Sequence, residues 1–249
     1  MTTDLNVLAR GGPPKPKTKR VYKAVSVDEK AGDFRVLLDT KPVMTPMRTP
    51  LSTKRRALAE AVAAEWDAQT PFIEPETMPL TRLVSTALDR VTPQRDLMIA
   101  ELMKYAHGDL LCYRAAYPAD LKARQEGVWQ PVLDWLAGTL GVTLMTVAAI
   151  MPHSQTPAAV EALRRAIAAL DDEHLTALQA TAAITNSLAL SLALTHGRIS
   201  ARDAFAAATL DETYQMERWG VDELARQRRQ FIEADLLAIG EYLRLLKLA

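Results

Sequence analysis

"VYKAVSVDEKAGDFRVLLDTKPVMTP", residues 21–46, is the stretch that separates an α+β protein from an all-helical one. Val21, Lys23, Val25 and Val27 sit in a partial alternation, and "DEKAGD" is a turn signal ahead of "FRVLLD", so the segment predicts a β-hairpin or small meander. "LDTKPVMTP" adds a second turn and a short strand. Pro42 and Pro46 confine that strand to an edge, because proline offers no N–H to a ladder. The only other segment apolar and β-branched enough for a strand is "GVTLMTVAAIM" (141–151), where a buried loop reads equally well.

N-terminal to the hairpin, "MTTDLNVLARGGPPKPKTKR" lacks the apolar core of a signal peptide, and its Gly, Pro and Lys content resists helix and strand alike. Residues 1–20 are expected to be a disordered basic tail. C-terminal to the hairpin, helical periodicity takes over. Ser52 is placed to cap a first helix with Leu58, Val62 and Trp66 on one face. Pro79 starts a second helix and the Thr92-Pro93 pair a third, which ends before Gly108. Asp120 opens an amphipathic run in which Pro131 predicts a kink or break. Thr156-Pro157 starts another helix, and Asp171 or Asp172 begins a long core helix to Leu194 that Gly197 stops. Ser200 and Asp203 form a capping box for a helix reaching Gly220. Asp222 caps the last helix, with Leu224, Phe231, Leu236, Ile239, Leu243 and Leu246 as its buried stripe. The expected architecture is therefore α+β: a β-containing domain over 21–75 followed by a larger, mostly α-helical domain over 76–249.

Composition excludes several functions. The chain has 249 residues, nearly half of them hydrophobic, enough to bury a sizeable core. Thirty basic and thirty acidic side chains leave no net charge to draw nucleic acid or an anionic membrane, and aromatic residues are too few for base-stacking platforms. The single cysteine points to a reducing compartment. "LTALQATAAITNSLALSLAL" (175–194) is the most membrane-like run, but its Gln, Thr, Asn and Ser residues fit a buried helix in a protein core better than a lipid-facing span.

No glycine-rich phosphate loop, GxGxxG or GxSxG is present. The histidines (107, 153, 174, 196) show no i, i+4 pairing with another ligand, so neither a metal nor another cofactor is implied. Cys112 follows His107 by five residues, which admits a Cys-His nucleophile, but "LLCY" is an apolar setting in which free cysteine behaves as a small hydrophobe. Arg114 beside it could pair with a buried acid.

"TLDETYQMERWG" (209–220) concentrates charge and aromatic residues at a helix end. If the helix from Ser200 continues unbroken, Phe205, Ala208, Glu212, Gln215 or Met216, and Trp219 share a face, and Glu212 occupies a position that asks for an apolar residue. Three readings compete: an internal ion pair, with Arg114 as a candidate partner; a catalytic acid with a raised pKa; or a carboxylate at a surface meant for another protein.

Several blocks in order, "MPLTRLVSTALD" (78–89), "DLLCYRA" (109–115), "LTALQ" with "TNSLALSLAL" (175–194) and "LDETYQMERWGVDELARQRR" (210–229), resemble the assembly chaperones that attend the α subunit of the F₁ head of ATP synthase. The "RVYKAVSV" and "VLLDTKPVMTP" segments and "EWDAQ" resemble that family too, so the likeness spans residues 20–246. Where the family often has Asp-Gly before its "PVKTP"-like strand, this chain has Asp39-Thr40. The resemblance implies a soluble, non-catalytic monomer without cofactor that binds newly made α subunit until it pairs with β, in a bacterial cytoplasm, or in the mitochondrial matrix for a processed eukaryotic protein. It also implies that Glu212 is a partner-binding residue, with Asp211 and Gln215 as neighbours. Trp219 is either an interface anchor or core. The rival readings are a hydrolase or lyase using Glu212 with His107 or Cys112, and a helical adaptor for some other protein.

Overall fold

A computed structural model of the chain describes residues 18–148 and 153–247. They form an α+β protein whose residues group into two compact units: the first runs to Arg95 and regains the chain from Glu241, and the second is Asp96–Gly240. The expected division near residue 75 thus falls inside the first unit. Residues 76–95 belong with the β-rich part because the Glu65 carboxylate accepts from the Leu80 and Thr81 backbone N–H groups at 2.8 Å each, fastening the start of the next helix to the first one.

In the first unit, strands β2 (Val25–Lys30) and β3 (Asp33–Leu38) make the predicted hairpin, paired antiparallel with Val27 opposite Val36. Ala31 and Gly32 connect them with φ of 55° and 83°. Two successive positive φ values are what a tight hairpin's right-handed twist demands, and Gly32 meets the second at no steric cost. Along its other edge β3 pairs with β4 (Lys41–Pro42) and β5 (Ser52–Thr53). Asp39 takes the left-handed conformation, φ 56°; its Oδ1 accepts from the Lys23 and Ala24 N–H groups at 3.0 Å, holding the turn. These backbone N–H groups keep its carboxyl below the usual carboxylate range.

Two expectations for this unit need correction. Thr18 and Lys19 are not part of a disordered tail: they form β1, paired with β6 (Phe72–Ile73), while residues 1–17 lie outside the described part. Ser52 caps no helix, because its backbone is engaged in β5 opposite Arg35. Helix α1 starts later, at Arg56, and runs to Asp67. Leu58, Ala59 and Val62 bury one face of α1 against the sheet. Helix α2 (Pro79–Thr86) continues through a wider π turn over Ala87–Val91 before the Thr92–Gln94 turn.

The second unit is helical: α3 (Arg95–Leu102), α4 (Ala119–Trp135), α5 (Pro157–Ala168), α6 (Asp172–Thr185), α7 (Leu188–Thr195), α8 (Ala201–Ala208), α9 (Leu210–Trp219) and the long α10 (Glu223–Lys247), whose last turns fall in the first unit. Thr156, Asp171, Ser200 with Asp203, and Asp222 cap α5, α6, α8 and α10 as their sequences predict. Pro131 lies inside α4 without ending it. The 141–148 segment contributes one backbone bridge, Val147 to Tyr113, rather than a strand; residues 149–152 are outside the described part.

The expected single helix from Asp171 to Leu194 is two helices. Asn186 turns left-handed, φ 52°, and Ser187 caps α7. A carboxylate 78 residues away explains the break. The buried Asp109 accepts from the Ser187 hydroxyl at 2.8 Å and from the Ala189 and Leu111 N–H groups at 2.9 and 3.0 Å, so the first turn of α7 is held from outside. Burial pushes this carboxyl up from its ordinary value against those donors.

Among the described residues no helix is long and apolar enough to cross a membrane.

Candidate partner-binding surface

The helix starting at Ser200 is interrupted at Thr209, whose φ of −109° and ψ of 16° leave the helical region. This break re-phases everything after it. Leu210 and Tyr214, four apart, become the buried side of α9, and the face carrying Glu212, Gln215 and Trp219 turns outward. Continuous periodicity places Glu212 in the core; in the structure its side chain is 41% exposed and reaches across to α10, where Arg228 donates to it at 2.9 Å and Arg229 lies 3.8 Å away. Arg229 also donates to the Thr209 carbonyl at 3.3 Å and lies over the Phe205 ring, bracing the corner where α8 ends.

Arg114 is not the partner of Glu212. Its guanidinium donates to the carbonyls of Leu111 and Gln125 at 2.8 and 3.0 Å and to Gln130 at 3.4 Å, and its acid is the largely exposed Glu126 at 3.7 Å, not a buried one. Asp211 is engaged within the protein. It accepts from the amide of buried Gln125 at 2.8 Å, and the Gln125 carbonyl oxygen accepts the Ala115 N–H at 2.7 Å. Gln215 is exposed.

Trp219 is the clearest outcome. It is 77% exposed, so of its two readings core packing is overturned. Gly220, with φ 89°, ends α9 directly after it, and exposed Val221 and Leu224 follow at the start of α10. Leu224, expected in the buried stripe of α10, is 74% exposed, and Phe231 is exposed as well; the stripe begins only at Leu236 and continues through Ile239, Leu243 and Leu246. Phe231 lies seven residues after Leu224, with Arg228 between them on the same side of the helix. The outward face of this corner is thus an apolar patch interrupted by the Glu212–Arg228 ion pair.

Sequence reasoning did not foresee the clamp beneath it. The Tyr214 hydroxyl donates to both oxygens of Asp120 on α4, at 2.8 and 3.0 Å, and Arg218 pairs with the same carboxylate at 2.6 Å. The Arg218 and Arg124 guanidinium groups lie 4.5 and 5.3 Å from the Tyr214 ring centre, and Arg124 pairs with Glu217 at 2.6 Å. The hydrogen bond from Tyr214, then Arg218, holds the Asp120 carboxyl below its ordinary range; burial and the bond to Asp120 push the Tyr214 phenol up. These partners lie more than ninety residues apart in the chain, so no local spacing could have shown them. Together they seat the inner side of α9 on α4 and leave its outer side presented.

The catalytic alternative has other geometry. Cys112 is buried, and burial, with the Asp109 charge, pushes its thiol up to about 12. The His107 ring accepts the Gln155 N–H through Nδ1 at 3.2 Å, while Glu212 is engaged by α10. Among the described residues, neither the hydrogen bonds of His107 nor those of Glu212 join the two.

The family model described as ATP12 chaperone protein matches residues 19–137. The mitochondrial protein atp12 of Schizosaccharomyces pombe is 26% identical over 226 residues, covering 86% of this chain and 78% of that protein. The crystal structure of Atp12 from Paracoccus denitrificans is 37% identical, superposes with a TM-score of 0.87, and covers 92% of this chain and 99% of its own. That of the Atu1473 protein from Agrobacterium tumefaciens is 38% identical with a TM-score of 0.88, covering 98% of this chain and 95% of its own.

Proposed function

Because this chain belongs to the ATP12 chaperone family, we propose that it is an assembly chaperone for the F₁ head of ATP synthase that binds the unassembled α subunit and keeps it from aggregating until it pairs with β. The observation that carries this reading is the exposed corner of α9 and α10: Trp219, Val221 and Leu224 beside the Glu212–Arg228 pair. Tryptophan and arginine are the residue types that most often anchor protein interfaces, and an apolar centre with charged neighbours is the make-up of such a surface.

A subunit waiting for its neighbour exposes the apolar area it will later bury, and obligate interfaces of that kind run to about 2,000 Å² and more. A chaperone that covers part of that area with moderate affinity prevents self-association and still yields to the permanent partner. Glu212 would contribute by exchanging its Arg228 contact for one on the client, and Gln215 by offering an exposed amide on the same face. Asp211 acts one step back, positioning Gln125. No reaction is assigned to the chain, and binding and release follow from competition between surfaces. The proposed setting is the bacterial cytoplasm, with a monomeric chaperone.

Affinity capture of the tagged chain from its own cells, followed by mass spectrometry, tests this. Recovery of free α subunit without the other F₁ subunits is expected. Cells lacking the gene that keep α soluble and assemble ATP synthase normally would overturn the proposal.

A further inference from the structure

A specific, stable interface takes about 20–30 residues from each side, more than the corner of α9 and α10 supplies, so a docking surface there continues onto a neighbouring element. Which element is decided by the ion pair between Asp120 of α4 and Arg218 of α9, 2.6 Å long and about half exposed on both sides. Trp219 directly follows Arg218, and Tyr117 stands three residues before Asp120. Tyr117 is 83% exposed and Trp219 77%, which makes them the two most exposed aromatic side chains among the described residues. Each is thus attached to one partner of the same ion pair. The other links between the two helices agree: Asp211 is joined to Gln125, and Tyr214 and Arg218 to Asp120. Higher numbers on α9 meet lower numbers on α4, so the C-terminal end of α9 lies at the N-terminal end of α4.

We infer that Tyr117 is a second anchor for the client, and that the docking surface runs from α10 over the end of α9 to the start of α4. This rests on the reading of the chain as a chaperone for the α subunit. The distances permit it. Three residues reach at most about 11 Å, so Tyr117 stays close to the Asp120 side of the pair, whereas one partner's share of a standard interface, about 800 Å², is a patch roughly 30 Å across. One client surface therefore covers both rings. Tyrosine shares with tryptophan and arginine the enrichment at interface hot spots, and each of the two aromatic side chains joins a broad apolar face to one donor, O–H or N–H. The matching client patch is apolar at its centre and carries carbonyl or carboxylate acceptors for those two donors and for the arginine between them.

The fold fixes Tyr117 relative to Trp219 from both sides of its loop. Two residues before it, the Ala115 N–H donates to the Gln125 side-chain carbonyl at 2.7 Å, and the amide of this buried glutamine donates to Asp211 on α9 at 2.8 Å. Arg114 secures the same stretch, its backbone N–H donating to the Val147 carbonyl at 2.8 Å and its guanidinium to the Gln125 main-chain carbonyl at 3.0 Å. Three residues after Tyr117, Asp120 accepts from Tyr214 and Arg218. Both tethers of the Tyr117 loop thus end on α9, the helix that presents Trp219. Holding two exposed rings at a fixed spacing lowers the ordering cost that client binding must overcome. It also gives a reason for a buried, fully engaged glutamine between the loop and α9 where an apolar residue would fill the space.

Calorimetric titration of purified α subunit into the full chain tests this. Tyr117→Ala should weaken binding about 10- to 100-fold with the unfolding curve unchanged, and Tyr117→Phe, which keeps the ring, should recover most of the loss. Asp211→Ala leaves both rings in place but cuts the Gln125 tether; it should weaken binding about three- to tenfold in the parent and have no further effect in the Tyr117→Ala chain. A Tyr117→Ala affinity within about threefold of the parent would overturn the inference. If Trp219→Ala still weakens binding in that assay, the corner of α9 and α10 keeps its role and only the extension falls, whereas no binding by the parent chain would remove the α-subunit reading and this inference with it. Equal losses for Asp211→Ala in both backgrounds would overturn the positioning of Tyr117 through Gln125. A Tyr117→Ala chain that binds α as the parent does but loses a concentration-dependent self-association would overturn the inference in favour of a second copy.

Discussion

Replacing Trp219 by alanine removes the side chain on which the proposed interface most depends. A tryptophan offers up to ~250 Å² of surface. With 77% of it exposed, about 190 Å² remains for a partner to cover, which at about 25 cal/mol per Å² sets a ceiling near 5 kcal/mol. Part of that is offset by ordering the side chain and by imperfect fit, and the alanine Cβ keeps a little, so a loss of about 2–4 kcal/mol in binding is expected, roughly a 30- to 1,000-fold weaker affinity. The same substitution should leave folding stability within about 0.5 kcal/mol of the parent, since the ring packs against little of the protein itself. Titration of purified α subunit, followed by calorimetry, reads the first quantity and urea unfolding the second. An affinity within about threefold of the parent, with unfolding curves superimposed, would refute the assignment of this corner as the docking surface. A stability loss of several kcal/mol would instead show the ring to be core.

Four further outcomes follow from the geometry. Glu212→Gln should cost less than about 1 kcal/mol of stability, because its ion pairs with Arg228 and Arg229 are partly exposed, yet it should weaken α binding in the same titration; unchanged binding would reduce Glu212 to a helix-to-helix strut. The Asp120 carboxyl titrates below its ordinary value of 3.8 in the fold, so the stabilisation it gives α9 is full above that value and is lost as pH falls through the folded pKa. Amide exchange in α9 should accelerate in that acid window, and Asp120→Asn should abolish the pH step; an unaltered step would assign it to another carboxylate. With its thiol pushed up to about 12, Cys112 should resist iodoacetamide at pH 8 in the native protein and react only on unfolding, whereas rapid native labelling would reopen the nucleophile reading. A Cβ at Gly240 would lie 2.8 Å from the Ala201 Cβ, so Gly240→Ala should destabilise by about 1–2 kcal/mol despite better helix propensity, and Ala201→Gly in the same chain should recover most of the loss. Strict additivity of the two changes would mean the helices can move apart there.

Features settled within a few residues were legible along the chain. The Ala31-Gly32 turn, the caps at Thr156, Asp171, Ser200 and Asp222, and the stop at Gly220 act on backbone groups one turn away, so the residue types suffice to place them. The order of its blocks also carried the family. In Asn186-Ser187 a local signal was present and unused, a residue tolerant of left-handed backbone followed by a helix cap, hidden within an apolar run that reads as one helix.

Which faces are covered was a matter for the packed molecule. Periodicity assigns side chains to one side of a helix but says nothing of what lies against that side. An apolar stripe meeting the core and one awaiting a partner have the same spacing, which is why Leu224 and Phe231 read as interior and Trp219 read equally as core or as interface anchor. Breaks fixed from a distance are equally invisible along the chain: the Thr209 re-phasing that turns Glu212 outward, and the Asp109 carboxylate that starts α7, rest on partners tens of residues away. Local backbone chemistry is written in neighbouring residues, whereas burial is a property of the whole packed surface, and the proposed site is made of what that packing leaves uncovered.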